Sequence, residues 1–169
     1  MSTTSGQMIL DFSDVRAFSS WQAVDDRIMG GRSRSRPHYV ESVGLRFAGT
    51  VSLANHGGFA SIRSPSGQWD LSSCAGLHLR LRGDGKRYKL SLRTDLFFDG
   101  ISYQTAFGTE RDHWQEISLP FTAFSATHHG VRLTTGAPLD TRCITSFGLF
   151  VSGRQEGAFQ LDLAWMKSF

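Results

Sequence analysis

The chain is poor in cysteine and proline, with two Cys and four Pro among 169 residues. Cys74 and Cys143 stand far apart with no partner at a metal-site spacing, which argues against a structural zinc site. The few prolines and the lack of low-complexity segments argue against linkers, so the length predicts one domain with one core. No apolar run approaches the ~20 residues of a membrane-spanning helix, so we predict no transmembrane segment.

A sustained helical hydrophobic period is also missing. This argues against helical layers and against a nucleotide-binding loop, which needs a helix after its glycine motif. Only three of the 18 basic residues are lysine, and the formal net charge is +3. That charge is too small and too dispersed to predict a nucleic-acid partner. The six histidines lack the spacing of a helical metal site, so we expect no metal and no other cofactor.

Residues 1–7 are small and polar. They lack the basic and apolar regions of a signal peptide and the arginines of a mitochondrial presequence. We therefore expect a flexible N-terminal tail over residues 1–7, a single domain over residues 8–169, and a cytoplasmic location, with a mature form already trimmed as the alternative.

The pattern that is present is strict alternation. Residues 76–82 place Leu77, Leu79 and Leu81 on one face, and residues 88–93 and 159–165 repeat the pattern. Such runs are typical of strands with one buried face. In the third run the alternation puts Trp165 inside, and we expect Trp114 inside as well. Further strands are predicted at residues 8–12, 17–21, 28–33, 45–47, 50–53, 59–64, 101–107, 114–119 and 146–152.

The separators between these runs are rich in turn residues, and Gly83-Asp84-Gly85 predicts a hairpin between its two neighbours. Many short strands with frequent turns, and no alternating helices, predict an all-β fold: an antiparallel β-sandwich or jelly roll.

One segment departs from this pattern. Residues 21–33 read Trp-Gln-Ala-Val-Asp-Asp-Arg-Ile-Met-Gly-Gly-Arg-Ser, and nothing in a plain strand requires Asp25-Asp26-Arg27 beside a glycine pair. The two carboxylates could cap backbone amides and pair with an arginine. They could instead begin a calcium site, with Asp84 and Asp162 as distant candidates. An acid/base pair is disfavoured, because neighbours in a strand rarely face each other across a cleft.

Four ordered blocks of the sequence resemble the complex I intermediate-associated protein 30 family. They are the segment from Trp21 to Ser33 and residues 44–63, 79–88 and 114–124. The resemblance implies a galactose-binding-domain-like jelly roll, and it implies no catalytic residues. It also implies a relation to factors that assemble respiratory NADH:ubiquinone oxidoreductase (complex I).

We therefore predict a non-catalytic protein-interaction module, resembling an assembly chaperone, whose partners are complex I subunits or assembly intermediates. The predicted contact residues lie in the acidic, glycine-rich segment and in the following glycine loop: Asp25, Asp26, Arg27, Met29, Gly30, Gly31, Asn55, Gly57, Gly58 and Phe59.

A basic docking face for an acidic partner is the second candidate. Alternation places its members on the outside of the predicted hairpin: His78, Arg80, Arg82, Lys89 and Arg93. A carbohydrate-binding module that uses an outer sheet face, with Trp69, Tyr39, Phe97 and Phe98 as candidate rim residues, is the alternative function. An unrecognised enzyme is a third.

Overall fold

The computed structural model describes residues 6–169, so the first five residues of the predicted tail lie outside the described part. Gln7 already pairs with the last strand, since its N–H donates to the Ser168 hydroxyl and its carbonyl accepts from the Ser168 N–H. The described residues form thirteen strands: β1 Met8–Asp11, β2 Gln22–Ala23, β3 Arg34–Val40, β4 Gly44–Val51, β5 Ala60–Arg63, β6 Gly76–Arg82, β7 Arg87–Arg93, β8 Ser102–Gly108, β9 Trp114–Pro120, β10 Ser125–His128, β11 Val131–Arg132, β12 Ser146–Val151 and β13 Gly157–Ser168.

Helical structure is limited to single turns. The α-helix α1 covers Val15–Phe18, and 3₁₀ turns lie at Asp26–Met29, Ala54–His56, Phe121–Ala123 and Thr141–Cys143. Within residues 6–169, no helix has the length and apolar character needed to cross a bilayer.

The strands form two antiparallel sheets. In sheet one the order is β3-β4-β13-β6-β9, with β1 also paired to β13, and in sheet two it is β11-β10-β8-β7-β12-β5-β2. The predicted all-β antiparallel sandwich is therefore confirmed. The longest strand, β13, lies in the middle of sheet one between β4 and β6.

The core lies between the inner faces of the two sheets. Leu77, Leu79 and Leu81 of β6 are fully buried, as the alternation predicts, and Tyr88 of β7 faces them from the other sheet. Aromatic rings pack against one another in this layer: Phe47 and Phe159 are tilted with their centroids 4.8 Å apart, and Phe47 meets Tyr88 edge-on at 6.4 Å. Burial of these apolar side chains is the main force that holds the two sheets together.

Two predicted strands are helical turns instead. Residues 17–21 begin inside α1, whose N-terminus is capped by the Asp14 carboxylate, and the Trp21 indole N–H donates to the Ala17 carbonyl. Residues 28–33 begin inside the 3₁₀ turn Asp26–Met29, and β3 starts only at Arg34. Local side-chain-to-backbone bonds replace strand pairing at both places.

The predicted hairpin at Gly83-Asp84-Gly85 is wrong. β6 belongs to sheet one and β7 to sheet two, so residues 83–86 cross from one sheet to the other. Alternation reports which side chains are buried, but it does not report whether two adjacent strands share a sheet.

The predicted inward positions of Trp165 and Trp114 are also wrong. A bulge between Leu163 and Trp165 adds one residue to β13, so Met166 is buried and Trp165 turns outward, with the Lys167 ammonium 4.3 Å from its ring. Trp114 lies opposite Arg82 on the outer face, 4.9 Å from that guanidinium. One extra residue reverses the face of every side chain that follows it.

A buried ion pair stabilises the outer face of sheet one. The Asp162 side chain is fully buried between two guanidiniums, at 2.8 Å from Arg46 on β4 and 2.9 Å from Arg82 on β6. Three neighbouring strands are thereby joined through one carboxylate.

Replacing that carboxylate tests its contribution. We expect Asp162→Ala to lower the free energy of unfolding by about 3 kcal/mol, because it leaves two close guanidiniums without a counter-charge. Glu116→Ala is the control, since the exposed Arg80–Glu116 pair at 3.3 Å should contribute less than about 1 kcal/mol. Denaturant unfolding measures both variants, and equal losses would contradict this account.

Candidate functional site

The acidic, glycine-rich segment folds into a compact junction against the following glycine loop. We call residues 25–35 together with residues 54–61 the carboxylate junction. Its 3₁₀ turn ends at Gly30, whose φ of 86° is the left-handed conformation that glycine adopts most readily. The Gly30 N–H donates to the Arg27 carbonyl, and the Gly31 N–H donates to the Asp26 carbonyl.

Asp26 is the centre of this junction and is 1% exposed. Its carboxylate accepts from the Ser33 N–H at 2.9 Å, from the Ser33 hydroxyl at 2.6 Å and from the Gly58 N–H at 2.8 Å, with a longer bond from Phe59. A charged acceptor that gathers several donors forms strong hydrogen bonds. Asp26 therefore holds the start of β3 against the loop that leads into β5.

Asp25 makes a similar set of hydrogen bonds, to strands β3 and β5. Its carboxylate accepts from the N–H and hydroxyl of Ser35 on β3 and from the Ser61 N–H on β5 at 3.0 Å. Because β3 and β5 belong to different sheets, Asp25 ties sheet one to sheet two.

The sequence allows two interpretations of Asp25 and Asp26, as caps of backbone amides or as the start of a calcium site. The contacts agree with the first. N–H and O–H donors take the oxygens of both carboxylates, whereas a calcium ion needs such oxygens as ligands. The distant calcium candidates lie elsewhere, since Asp162 pairs with arginines and Asp84 accepts from the Tyr88 hydroxyl. The arginine pairing suggested for the acidic segment is not among the described ion pairs.

Two glycines are fitted closely around the Asp26 carboxylate. A Cβ atom at Gly31 would lie 2.4 Å from the Asp26 carboxylate, and one at Gly57 would lie 2.6 Å from Asp26 Oδ2. These distances leave no room for a side chain, so the glycines are there because of the buried carboxylate. Gly58 has a φ of 141° and is needed for its backbone conformation.

The remaining members of the junction form its surface. Arg27 and Asn55 are exposed, Met29 is 64% exposed, and Phe59 is half-buried, 6.1 Å from the Phe150 ring. The Asn55 amide donates to the Gly30 carbonyl at 3.2 Å and joins the two loops at the rim. The predicted contact residues therefore divide into a buried support and an exposed rim.

The predicted basic docking face does not form, because the crossover puts its members on opposite sides of the sandwich. On sheet one, Arg80 and Arg82 pair with acidic residues and contact Trp114, and His78 stacks on Phe169 at 4.3 Å. Lys89 and Arg93 lie instead on the outer face of sheet two.

Beside Arg93, the structure reveals a feature that alternation could not predict. The β7–β8 connection, residues 94–101, folds over the outer face of sheet two; we call it the aromatic loop. Arg93 and Arg63 donate to its carbonyls, with Arg93 reaching the Gly100 carbonyl at 3.1 Å and Arg63 the Phe98 carbonyl at 3.4 Å. Burial and the neighbouring Arg93 charge lower the pKa of Arg63 to about 10, so the Arg63 guanidinium remains charged at neutral pH.

One cluster has metal-ligating side chains. Ligand atoms of Asp99, His128 and His129 lie within 4.8 Å of one another, and all three residues are exposed. His129 Nε2 lies 2.9 Å from the Asp99 carboxylate, and His128 Nε2 lies 3.2 Å from the Asp99 carbonyl oxygen. These three residues are one ligand short of the four that a structural zinc site has. In the described structure their contacts attach the aromatic loop to β10.

Comparison with known proteins gives one family. The family model described as "Complex I intermediate-associated protein 30" matches residues 10–163. The mouse mitochondrial protein of that name is 26% identical over 187 residues, covering 96% of this chain and 56% of its own length. The Drosophila melanogaster protein is 22% identical, with coverage of 94% and 61%. The chain thus spans somewhat more than half the length of these curated relatives.

Solved structures show the same fold at low identity. A family 11 carbohydrate-binding module from Clostridium thermocellum, in complex with a mixed-linked tetrasaccharide, superposes with a TM-score of 0.69 at 14% identity, over 98% of this chain and 96% of that one. The agarase AgWH50C matches with a TM-score of 0.64 at 12% identity, over 97% and 24%. At these identities the likeness concerns the fold alone.

The names of the relatives correct one expectation. The relatives from mouse and fly are named as mitochondrial proteins, so the cytoplasmic location predicted from residues 1–7 is wrong. Targeting segments are separate from the folded domain, and the composition of this domain does not report its compartment.

The buried support can be tested by stability. We expect Asp26→Asn to lower the free energy of unfolding by about 3 kcal/mol, because an amide is a weaker acceptor and places an NH₂ group against donors. The exposed turn residue Glu41 supplies the control Glu41→Gln, expected to stay within about 0.5 kcal/mol. Chemical unfolding distinguishes the two, and a change of less than about 1 kcal/mol in Asp26→Asn would count against a supporting role.

The glycine packing can be tested separately. Gly57 has a φ of −68°, which any residue adopts, so Gly57→Ala should destabilise through crowding alone, chiefly against Asp26 Oδ2 and also against the Ala54 and Ser52 carbonyl oxygens at 3.0 Å, by about 1–3 kcal/mol. Gly108→Ala is the matched control, because the atom nearest to its new Cβ, Arg87 Nη1, would lie 3.8 Å away. The shift of the melting temperature compares the two variants, and equal shifts would refute the packing argument.

Proposed function

Since the chain belongs to the complex I intermediate-associated protein 30 family, we propose that it is an assembly factor that binds subunits or intermediates of respiratory NADH:ubiquinone oxidoreductase. The observation that carries this proposal is the family match, which spans nearly the whole sandwich, from residue 10 to residue 163.

The carboxylate junction is the surface that we assign to the partner. Its buried carboxylates fix the loop backbones, and its rim presents the guanidinium of Arg27, the thioether of Met29 and the amide of Asn55 together. A rigid rim with one flexible apolar side chain and polar neighbours is suited to a protein contact, because Met adapts its shape and Arg is enriched at interfaces. Such a surface loses little conformational entropy on binding.

We propose binding rather than catalysis at this junction. General acid/base work needs a carboxylate that can exchange a proton with a substrate. Here Asp25 and Asp26 are buried and hold backbone and hydroxyl donors, which supports a structural task for both.

The carbohydrate-binding alternative has less support. Sugar rings stack on open aromatic faces, but cations already lie against the outward tryptophans and against Phe98, whose ring centre is 5.3 Å from the Arg63 guanidinium. The Arg82 guanidinium is 4.9 Å from the Trp114 ring, and the Lys167 ammonium is 4.3 Å from the Trp165 ring. The likeness to carbohydrate-binding modules is one of fold.

Partner capture by rim variants tests the proposal. We expect the double variant Arg27→Ser with Met29→Ser to retain less than about a tenth of the wild-type complex I subunits when tagged protein is purified from its native host. Its melting temperature should stay near that of the wild type, since both side chains are exposed. Val15→Ser, at an exposed apolar position outside the junction, is the control and should capture normally.

Two results would refute the proposal. One is wild-type protein that brings down no complex I subunit. The other is a rim variant that captures as well as Val15→Ser, which would leave the family role intact but remove the junction as its site.

A further inference from the structure

The aromatic loop presents three consecutive large apolar side chains to solvent. Leu96 is 76% exposed, Phe97 75% and Phe98 61%, and Val131 on the neighbouring β10–β11 hairpin is 64% exposed. Scattered apolar residues on a surface are ordinary, but a contiguous patch of this kind marks an interaction site. These side chains are not used by the carboxylate junction.

The loop backbone is held in place while its side chains are exposed. The Asp95 carboxylate accepts from the Phe97 N–H at 3.0 Å, and the Thr145 hydroxyl donates to the Asp95 carbonyl at 2.7 Å. Arg93 donates to the Phe97 and Gly100 carbonyls, and β10 attaches at Asp99. The exposure therefore results from a specified conformation.

Positive charge lies at the base of the loop. Arg63 and Arg93 donate to its carbonyls, and the Arg63 guanidinium also lies 5.3 Å from the centre of the Phe98 ring. Among the ion pairs of residues 6–169 neither guanidinium has a carboxylate partner. The two acidic residues of the loop hydrogen-bond elsewhere, Asp95 to the Phe97 N–H and Asp99 to His129, and their charges offset part of the charge of Arg93. Lys89 and Arg132 add further positive charge on the same side of the sandwich.

We propose that the aromatic loop is a membrane-docking element, in which Leu96, Phe97 and Phe98 enter the interface of an anionic bilayer and Arg63 and Arg93 meet lipid phosphates.

The order of chemical groups favours a bilayer over a protein groove. From tip to base, the loop places apolar side chains first and guanidiniums behind them. A bilayer interface has the matching order, because acyl chains lie beneath a layer of phosphates. Arginine also forms bidentate contacts with phosphate oxygens. This surface lies on sheet two and is independent of the proposed assembly role.

Vesicle binding by the full chain tests the proposal. Vesicles of phosphatidylcholine alone are compared with vesicles of phosphatidylcholine and phosphatidylglycerol in equal parts. We expect wild-type protein to co-sediment with the anionic vesicles and much less with the neutral ones. Phe97→Ser with Phe98→Ser should weaken that binding at least about tenfold, whereas Val15→Ser should bind like the wild type.

The cations are tested by a second pair of variants. Arg63→Gln with Arg93→Gln should reduce binding to anionic vesicles to the neutral level, and Arg63→Lys with Arg93→Lys should preserve most of it. Added salt should weaken binding by the wild type and have little effect on the Gln variant. The melting temperature of each variant verifies that it folds.

Three outcomes would overturn the proposal. The first is wild-type protein that binds neither kind of vesicle. The second is a loop variant that binds vesicles as the wild type does. The third is a loop that mediates self-association, seen by light scattering as a dimer that Phe97→Ser with Phe98→Ser dissociates. Unchanged capture of complex I subunits by the loop variant would separate this proposal from the assembly role.

Discussion

The two buried carboxylates of the acidic segment fix one edge of the sandwich. Asp25 binds β3 in one sheet and β5 in the other, and Asp26 draws the glycine loop onto the start of β3. Burial of the apolar core holds the two sheets together, but this force is non-directional. The hydrogen bonds of Asp25 and Asp26 are directional and define how the edges of the two sheets meet. The glycines around Asp26 follow from this constraint, as does the conformation of the exposed rim.

The two outer faces of the sandwich have different chemistry. On sheet one, Arg46 and Arg82 share the Asp162 carboxylate and Arg80 pairs with Glu116, and Arg80 and Arg82 lie against the Trp114 ring, so the arginines of the two strands beside β13 have acidic partners. On sheet two, Arg63 and Arg93 lie beneath exposed aromatic side chains without a carboxylate partner among the described ion pairs. In the two proposals made above, the edge binds a protein and the face of sheet two binds a membrane, and the two surfaces are separate on the sandwich.

Sequence patterns predicted burial well and topology poorly. Alternation correctly placed Leu77, Leu79 and Leu81 in the core, because the face of a strand is a local property. It failed at the bulge before Trp165 and at the crossover of residues 83–86, since both depend on pairing with distant strands.

The composition of the acidic segment correctly indicates that this segment is not an ordinary strand. Its burial cannot be predicted from local sequence, because the carboxylate of Asp26 accepts a hydrogen bond from Gly58, which lies more than thirty residues away. The sequence identifies Phe97 and Phe98 of the aromatic loop only as candidate rim residues of a carbohydrate-binding face, since composition does not show how exposed a side chain is.

The central position of β13 has a consequence for biosynthesis. Sheet one has a gap between β4 and β6 that is filled only by Gly157–Ser168, the last strand of the sequence. During translation, β4 and β6 leave the ribosome with unpaired edges facing each other, and the strand that joins them arrives last. Non-local pairing of this kind is slow and leaves strand edges open to aggregation. The nascent domain should therefore depend on general chaperones until β13 has emerged.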